Sequence, residues 1–216
     1  MVHTSERIKI ERGFDYVQRD KITFRMWKRE YSGRGRKMNN NTEYVYPLNN
    51  LPVTEKSKKI SKLLRLSKLP VIGHIFLREI PKLFIHAKNV EIAPGFYCIY
   101  GNIDAEDVFL YHTFCLDYGL IKIGRYTSFS FEVAILTTNH DLDDFNKVIV
   151  KPVTIGKNVR IEFRAVILAG VTIGDNSVIG AGSVVTRDIP SGVLAAGNPC
   201  KVIRKIDRGT TKWWES

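Results

Sequence analysis

The sequence predicts a mainly β protein, a parallel β-helix preceded by a basic and partly helical N-terminal extension. Two features of the register carry the first half of that expectation. Ile155, Ile161, Ile167, Ile173, Ile179 and Val185 fall six residues apart, and Val159, Ala165, Val171, Ser177 and Ser183 each stand two places before the next of them. A period of six fits neither an amphipathic helix nor a long alternating strand. It fits one short flat strand and a turn per hexad, with the aliphatic residue pointing into a coil, the small residue packed beside it, and three hexads closing one triangular turn. Gly156, Gly174 and Gly180 follow inward residues, where space at the turn is tight. The charge distribution marks the extension: residues 1–89 hold 20 Lys and Arg against 8 Asp and Glu, while residues 90–216 hold 13 against 14.

In chain order, residues 1–55 read as polar and irregular, with Ser32-Gly33-Arg34-Gly35-Arg36 and Asn39-Asn40-Asn41 as loops. Between Lys56 and Lys88, Ile60, Leu63, Leu64, Ile72, Ile75, Phe76, Ile80, Leu83 and Phe84 recur at three- and four-residue steps, interrupted near Pro70 and Pro81, which predicts short helices. Two roles suit their apolar faces. They could cap the first coil, whose strand edges are otherwise unpaired, or make a peripheral contact with anionic membrane through residues 56–88, to which Lys58, Lys59, Lys62, Arg65 and Lys68 lend charge. The coil is expected over residues 90–206. Ile103, Phe109, Cys115 and Ile121 form one inward run, and Ile123, Phe129 and Ile135 a second, shifted by two. Between Ile135 and Ile155 lie 20 residues where three hexads need 18, and the stretch Thr137 to Asp144 has no inward aliphatic residue at the expected place. A loop is therefore expelled at about 137–152, and its one histidine, His140, is the first candidate for a reacting group. Residues 207–216 form a tail ending in Trp213-Trp214-Glu215-Ser216.

Several function classes are excluded or made remote by composition. Cys98, Cys115 and Cys200 lack metal-type spacing and read as the reduced thiols of a cytoplasmic protein, either free or peripheral at the inner face of the membrane. Met1 to Asp20 is too charged for a signal peptide, and Arg78, Glu79 and Lys82 interrupt the most apolar run before it reaches spanning length. The aromatic residues of the basic region form no stacking platform for nucleic acid.

The run Phe96-Tyr97-Cys98-Ile99-Tyr100-Gly101, the loop Asn139-His140-Asp141, the repeat segment Gly170 to Ser183 and the closing Ala196-Gly197-Asn198-Pro199-Cys200-Lys201-Val202-Ile203-Arg204 together resemble the hexapeptide-repeat acyltransferases, above all their maltose and galactoside O-acetyltransferase branch. The resemblance covers roughly residues 94–206. It implies a left-handed coil, against the usual right-handed rule for parallel crossovers. It also implies a homotrimer with active sites between neighbouring subunits, acetyl-CoA as co-substrate and a sugar or glycan as acceptor.

Site residues follow from the resemblance. Acetyl transfer to an alcohol needs a base, because a hydroxyl is barely ionised at neutral pH, and histidine titrates in the right range. The matching loop histidine is the family's base, which assigns that role to His140, with Asn139 beside it near the acceptor and Asp141 shaping the loop. Ala181 is expected along the pantetheine arm, Thr186 and Arg187 near its far end, and Lys201 and Arg204 close to the phosphates. Asp117 and His112, on the coil before the loop, are expected to bind the acceptor. Where the family has Val-Trp-Ile-Gly and a small residue, this chain reads Val159-Arg160-Ile161-Glu162-Phe163. Phe163 lies one turn before Ala181, against the acyl channel, and favours acetyl over longer acyl groups. No metal is expected, since His112 and His140 have no third histidine in the coil region. Competing readings are N-acetylation of an amino-sugar nucleotide, acetylation of a xenobiotic, and a β-helix scaffold that has lost activity.

Overall fold

The computed structural model describes residues 36–37, 44–47, 85–92 and 95–207. The helical pattern between 56 and 84, the membrane contact built on it and the tail from residue 208 lie outside them.

Residues 85–207 wind into stacked coils with three faces. The first face carries the N-terminal halves of β3 (His86–Ile92) and β5 (Ile103–Leu110), then β7 (Ile121–Ile123), β12 (Val153–Ile155) and β15 (Thr172–Ile173). The C-terminal halves of β3 and β5 continue round a corner into the second face, with β8 (Ser128–Phe129), β13 (Arg160–Ile161), β16 (Val178–Ile179) and β18 (Val193–Ala196). The third face holds β4 (Tyr97–Cys98), β6 (Phe114–Leu116), β9 (Ala134–Leu136), β14 (Val166–Ile167) and β17 (Val184–Val185). Strands within a face are parallel. Ile155 pairs with Ile173, Ile161 with Ile179 and Ile167 with Val185, so each coil repeats after 18 residues and presents the same positions inward. The closing strand β19 (Lys201–Lys205) turns back antiparallel against β18.

The hexad register is reproduced in the core. Ile155, Ile161, Ile167, Ile173, Ile179 and Val185 are buried, as are the small partners Val159, Ala165, Val171, Ser177 and Ser183. The two buried hydroxyls are satisfied: Ser177 donates to the Pro190 carbonyl at 2.7 Å and Ser183 to the Gly180 carbonyl at 2.6 Å. Gly156 shows why the turns demand small residues, since a Cβ there would lie 2.7 Å from the Asp175 backbone nitrogen in the next coil.

Three corrections concern the lower coils and the extension. Phe109 does not point inward; Val108 and Leu110 do, at 1% and 0% exposure. The corner of β5 is one residue shorter than the corner above it, since Ala105 pairs with Ile123 but Phe109 with Ser128; with Asp107 at that corner in the left-handed region at φ 53°, the alternation shifts and Phe109 stands with Ser128 on the outer side. The coil also starts earlier than residue 90, because β3 begins at His86 and Ile85 already belongs to the core. Finally, within the stretch read as irregular, β1 (Arg36–Lys37) and β2 (Tyr44–Pro47) are strands.

The corners are built from left-handed residues. Asn89, Asp107, Tyr126, Asn158 and Asn176 stand at φ 52–63° in one column, and His112, Glu132 and Arg164 at φ 33–58° in another. Asparagine and aspartate tolerate this conformation through local hydrogen bonding. Here they also bond along the stack: the Asn89 amide donates to Asp107 and that of Asn158 to Asn176, both at 2.9 Å.

The outward positions of the faces differ. On the first face Asp104, Lys122, Thr154 and Thr172 stand in one row. On the third face the corresponding row is Phe114, Ala134, Val166 and Val184, with Leu116 beside Leu136 and the Tyr97 ring stacked on Phe114 at 5.7 Å.

Candidate active site

The expelled segment is a ribbon rather than an irregular loop. It leaves the third face after β9 as β10 (Thr138–His140) and returns antiparallel as β11 (Lys147–Val150) before β12. Its base is tied to the coil by Thr137, whose hydroxyl accepts from the Gly119 N–H at 2.9 Å and donates to the Leu116 carbonyl at 2.8 Å. Val150 packs at the same place, within 2.9 Å of where a Gly119 Cβ would sit. At the tip, the Asp141 carboxylate accepts from the N–H groups of Asp143 and Asp144, which shapes the turn, and Lys147 pairs with Asp144 at 3.0 Å. Lys147 holds the Asp144 carboxyl below its ordinary range. Asn139 and His140 are exposed on the outer strand of this ribbon, with the Phe145 ring 6.2 Å from the His140 ring.

Phe163 and Ala181 share the corner between the second and third faces, where the Gly182 N–H donates to the Phe163 carbonyl at 2.8 Å. Both are exposed. The Arg164 guanidinium lies over the Phe163 ring at 4.8 Å and is held from the other side by Glu132 at 2.5 Å. Lower on the same corner, His112 is half-buried with its ring 4.8 Å from Phe131 and filling the space over Gly95. Phe131 and Arg164 escaped the sequence reading. The signal that would have found Phe131 is the 32-residue step from Ser128 to Arg160, one coil plus the ribbon, which puts Phe131 directly below Phe163.

Thr186 and Arg187 are exposed at the opposite edge of the third face, on the corner from which the ribbon also leaves. Lys201 and Arg204 are exposed on β19, paired in register with Ala196 and Leu194. Among the described residues, none of Arg187, Lys201 and Arg204 has a carboxylate partner.

Asp117 takes a different place from the one expected. It is fully buried, and its carboxylate accepts the N–H groups of Ile99 at 2.7 Å, Tyr100 at 3.0 Å and Asn102 at 2.7 Å. Burial raises its pKa above the ordinary value against the pull of those three donors. A carboxylate so occupied organises the turn below it and presents no oxygen to an acceptor. The 18-residue step from Ile99 to Asp117 was the available signal.

The expected site residues therefore form two groups in one chain. His140, Asn139, Thr186 and Arg187 belong to the corner between the third and first faces; His112, Phe163 and Ala181 belong to the corner between the second and third. The apolar outer surface of the third face separates them.

Residues 147–187 match the family model described as bacterial transferase hexapeptide (six repeats). The chain is 36% identical over 167 residues to the galactoside O-acetyltransferase of Escherichia coli, covering 76% of each chain. It is 47% identical over 135 residues to a protein of Saccharomyces cerevisiae named as an acetyltransferase, covering 58% of this chain and 69% of that one. Among solved structures, a maltose O-acetyltransferase from Clostridium difficile superposes with a TM-score of 0.68 at 32% identity, covering 84% of this chain and 97% of that one. A galactoside acetyltransferase in complex with coenzyme A gives a TM-score of 0.63 at 33% identity, covering 73% and 86%. With its hexad coil matched by the family model and relatives matched over most of their length, the chain belongs to the hexapeptide-repeat acetyltransferase family.

Proposed function

We propose that the protein is an acetyl-CoA-dependent O-acetyltransferase acting on a sugar or a surface-polysaccharide precursor, with His140 as the general base. The observation that carries this reading is the exposure of His140 on a ribbon anchored at its base to a rigid coil, in a chain whose relatives include galactoside and maltose O-acetyltransferases. Acetyl-CoA supplies an acetyl group activated as a thioester. The chain's part is to take the proton from the acceptor hydroxyl at a His140 ring nitrogen, which makes the oxygen nucleophilic as it reacts.

The donor's features fit the residues present. Arg187, Lys201 and Arg204 offer exposed cations that have no carboxylate partner among the described residues, for its phosphates. Ala181 and Gly182 leave the backbone of the second corner open to a pantetheine arm, and among the described residues nothing beyond its chain neighbours lies within 4 Å of a Gly182 Cβ. Phe163, fixed by Arg164, narrows the same corner and restricts the acyl group to acetyl. His112, half-buried on one corner, and Asn139, exposed beside His140 on the other, would meet the acceptor.

The division of these residues between two corners supports a homotrimer. Three copies with their third faces turned toward a common axis would cover the row Phe114, Ala134, Val166 and Val184, and would set the His140 corner of one copy beside the Phe163 corner of the next. Each site would then take residues from two chains.

Calorimetric titration with acetyl-CoA tests the donor half without an acceptor. The expected result is saturation near one site per chain, retained in His140→Ala, while turnover with glycoside acceptors falls in that variant by about 10²–10⁴-fold. Absence of binding at millimolar ligand would overturn the donor assignment, and near-normal turnover in His140→Ala the base assignment. Faster turnover with butyryl-CoA than with acetyl-CoA would contradict the role given to Phe163.

A further inference from the structure

The histidine ribbon is not free-standing. On the side away from β10, β11 pairs antiparallel with β2, placing Lys147 opposite Pro47, Val148 opposite Tyr46, Ile149 opposite Val45 and Val150 opposite Tyr44. The strands β1, β2, β11 and β10 form a four-stranded sheet in that order. One transverse row of it reads Tyr46, Val148, His140. Directly opposed residues of antiparallel strands project to the same face, so these three side chains stand side by side. Tyr46 is 0% exposed and Val148 5%, whereas His140, at the outer end of the row, is exposed. Val148, Val150 and Tyr46 all lie outside the main core of the coil. The ribbon therefore has a small apolar core of its own, and that core includes a residue from the N-terminal extension.

A two-stranded ribbon is marginal in water, and three or more strands with a buried face are needed for it to hold a shape. The contacts through Thr137 and Gly119 fix only the base of β10 and β11, while His140 stands toward the tip. We infer that β2 is a brace for the catalytic ribbon and that Tyr46 is a positioning residue: buried against the row, it holds Val148 and, through it, the strand that carries the His140 imidazole. This rests on the reading of His140 as the base. A base displaced by about 1 Å from a bound hydroxyl can lose on the order of 100-fold in rate, so a brace far from the coil still acts on kcat.

The test compares Tyr46→Ala, Tyr46→Phe and His140→Ala in the full chain, with acetyl-CoA and the fastest-reacting member of a panel of galactosides and maltosides. For Tyr46→Ala, kcat is expected to fall about 10- to 100-fold. The KM for acetyl-CoA and the thermal transition of the coil should stay at their wild-type values, because β2 pairs with β1 and β11 and with no strand of the coil that carries the donor residues or the hexad core. Tyr46→Phe keeps the buried ring and should restore kcat. If His140→Ala is inactive while Tyr46→Ala turns over at the wild-type rate, the brace is refuted and the base assignment stands. If His140→Ala itself is active, the reading of the site has failed first. A loss in Tyr46→Ala that appears equally in KM and in coil stability, and is not rescued by Tyr46→Phe, also refutes positioning. Should Tyr46→Ala fail to fold, native-state hydrogen exchange on the unaltered protein decides: β2, β10 and β11 exchanging as one unit supports the brace, and β2 exchanging freely beside a protected ribbon overturns it.

Discussion

The first and third faces of the coil are alike inside and unlike outside. Inward, both present aliphatic residues at the same heights: Ile123, Ile155 and Ile173 on one, Ile135, Ile167 and Val185 on the other. Outward, the first face is polar through Asp104, Lys122, Thr154 and Thr172, while the third carries Phe114, Ala134, Val166 and Val184. Building the coil requires only the inward row, so the outward row is left to record what each face meets. A strand that is apolar on both sides is the pattern of a sheet covered on both sides, and a contiguous apolar surface of this kind marks an interaction site.

Two experiments press on that comparison. The larger effect should come from the rows that match. Ile155→Ala and Ile167→Ala both empty a fully packed position, and each should destabilise the coil by about 2–5 kcal/mol in chemical denaturation. A difference of several kcal/mol between them would mean that the faces are not equivalent inside. The second effect should separate the faces. On the proposed trimer, Val166→Lys is expected to favour the monomer in sedimentation at micromolar concentration with little change in the stability of the single coil, whereas Thr154→Lys should leave assembly unchanged. An assembled Val166→Lys protein would show that the third face is not the interface between copies.

What was legible in the sequence was whatever repeated. The hexad positions from Ile155 to Val185 and the interruption between Ile135 and Ile155 follow from spacing, because each coil meets its neighbour at a fixed offset, whereas the post-coil segment was marked by the family resemblance. The places that resisted reading are those where one residue departs from the period. The shortened corner at Asp107 turned Phe109 outward, and a hexad count has no means of recording a missing residue. Asp117 looked like a ligand group because the family resemblance implies an acceptor-binding carboxylate on the coil before the loop, yet its three backbone donors come from a turn one coil away, and burial follows from satisfying them. The ribbon was visible as a gap, but its partner was not: Tyr44-Val45-Tyr46-Pro47 is too short to show a period, and no offset links it to residues 147–150. Of the site, His140 and the cationic end stood out by type and place. The Arg164 and Glu132 pair that fixes Phe163 did not, since charged corner residues look alike until stacked.

The pairing of β2 with β11 also sets an order of events. Rungs of the coil meet partners 18 residues away, so each can dock on the one just made as the chain emerges. Tyr46 and Val148 are 102 positions apart. At ordinary synthesis speeds, residue 46 leaves the ribosome about 5 to 20 seconds before its partner does. The lower coils, up to β9, can therefore assemble rung by rung while the strand that steadies the histidine is still without its match. Pulse-labelled hydrogen exchange during refolding should find amides of β5 to β9 protected before those of β2, and simultaneous protection would contradict this sequence. In that order of assembly the base of the scaffold stands before the histidine has its support.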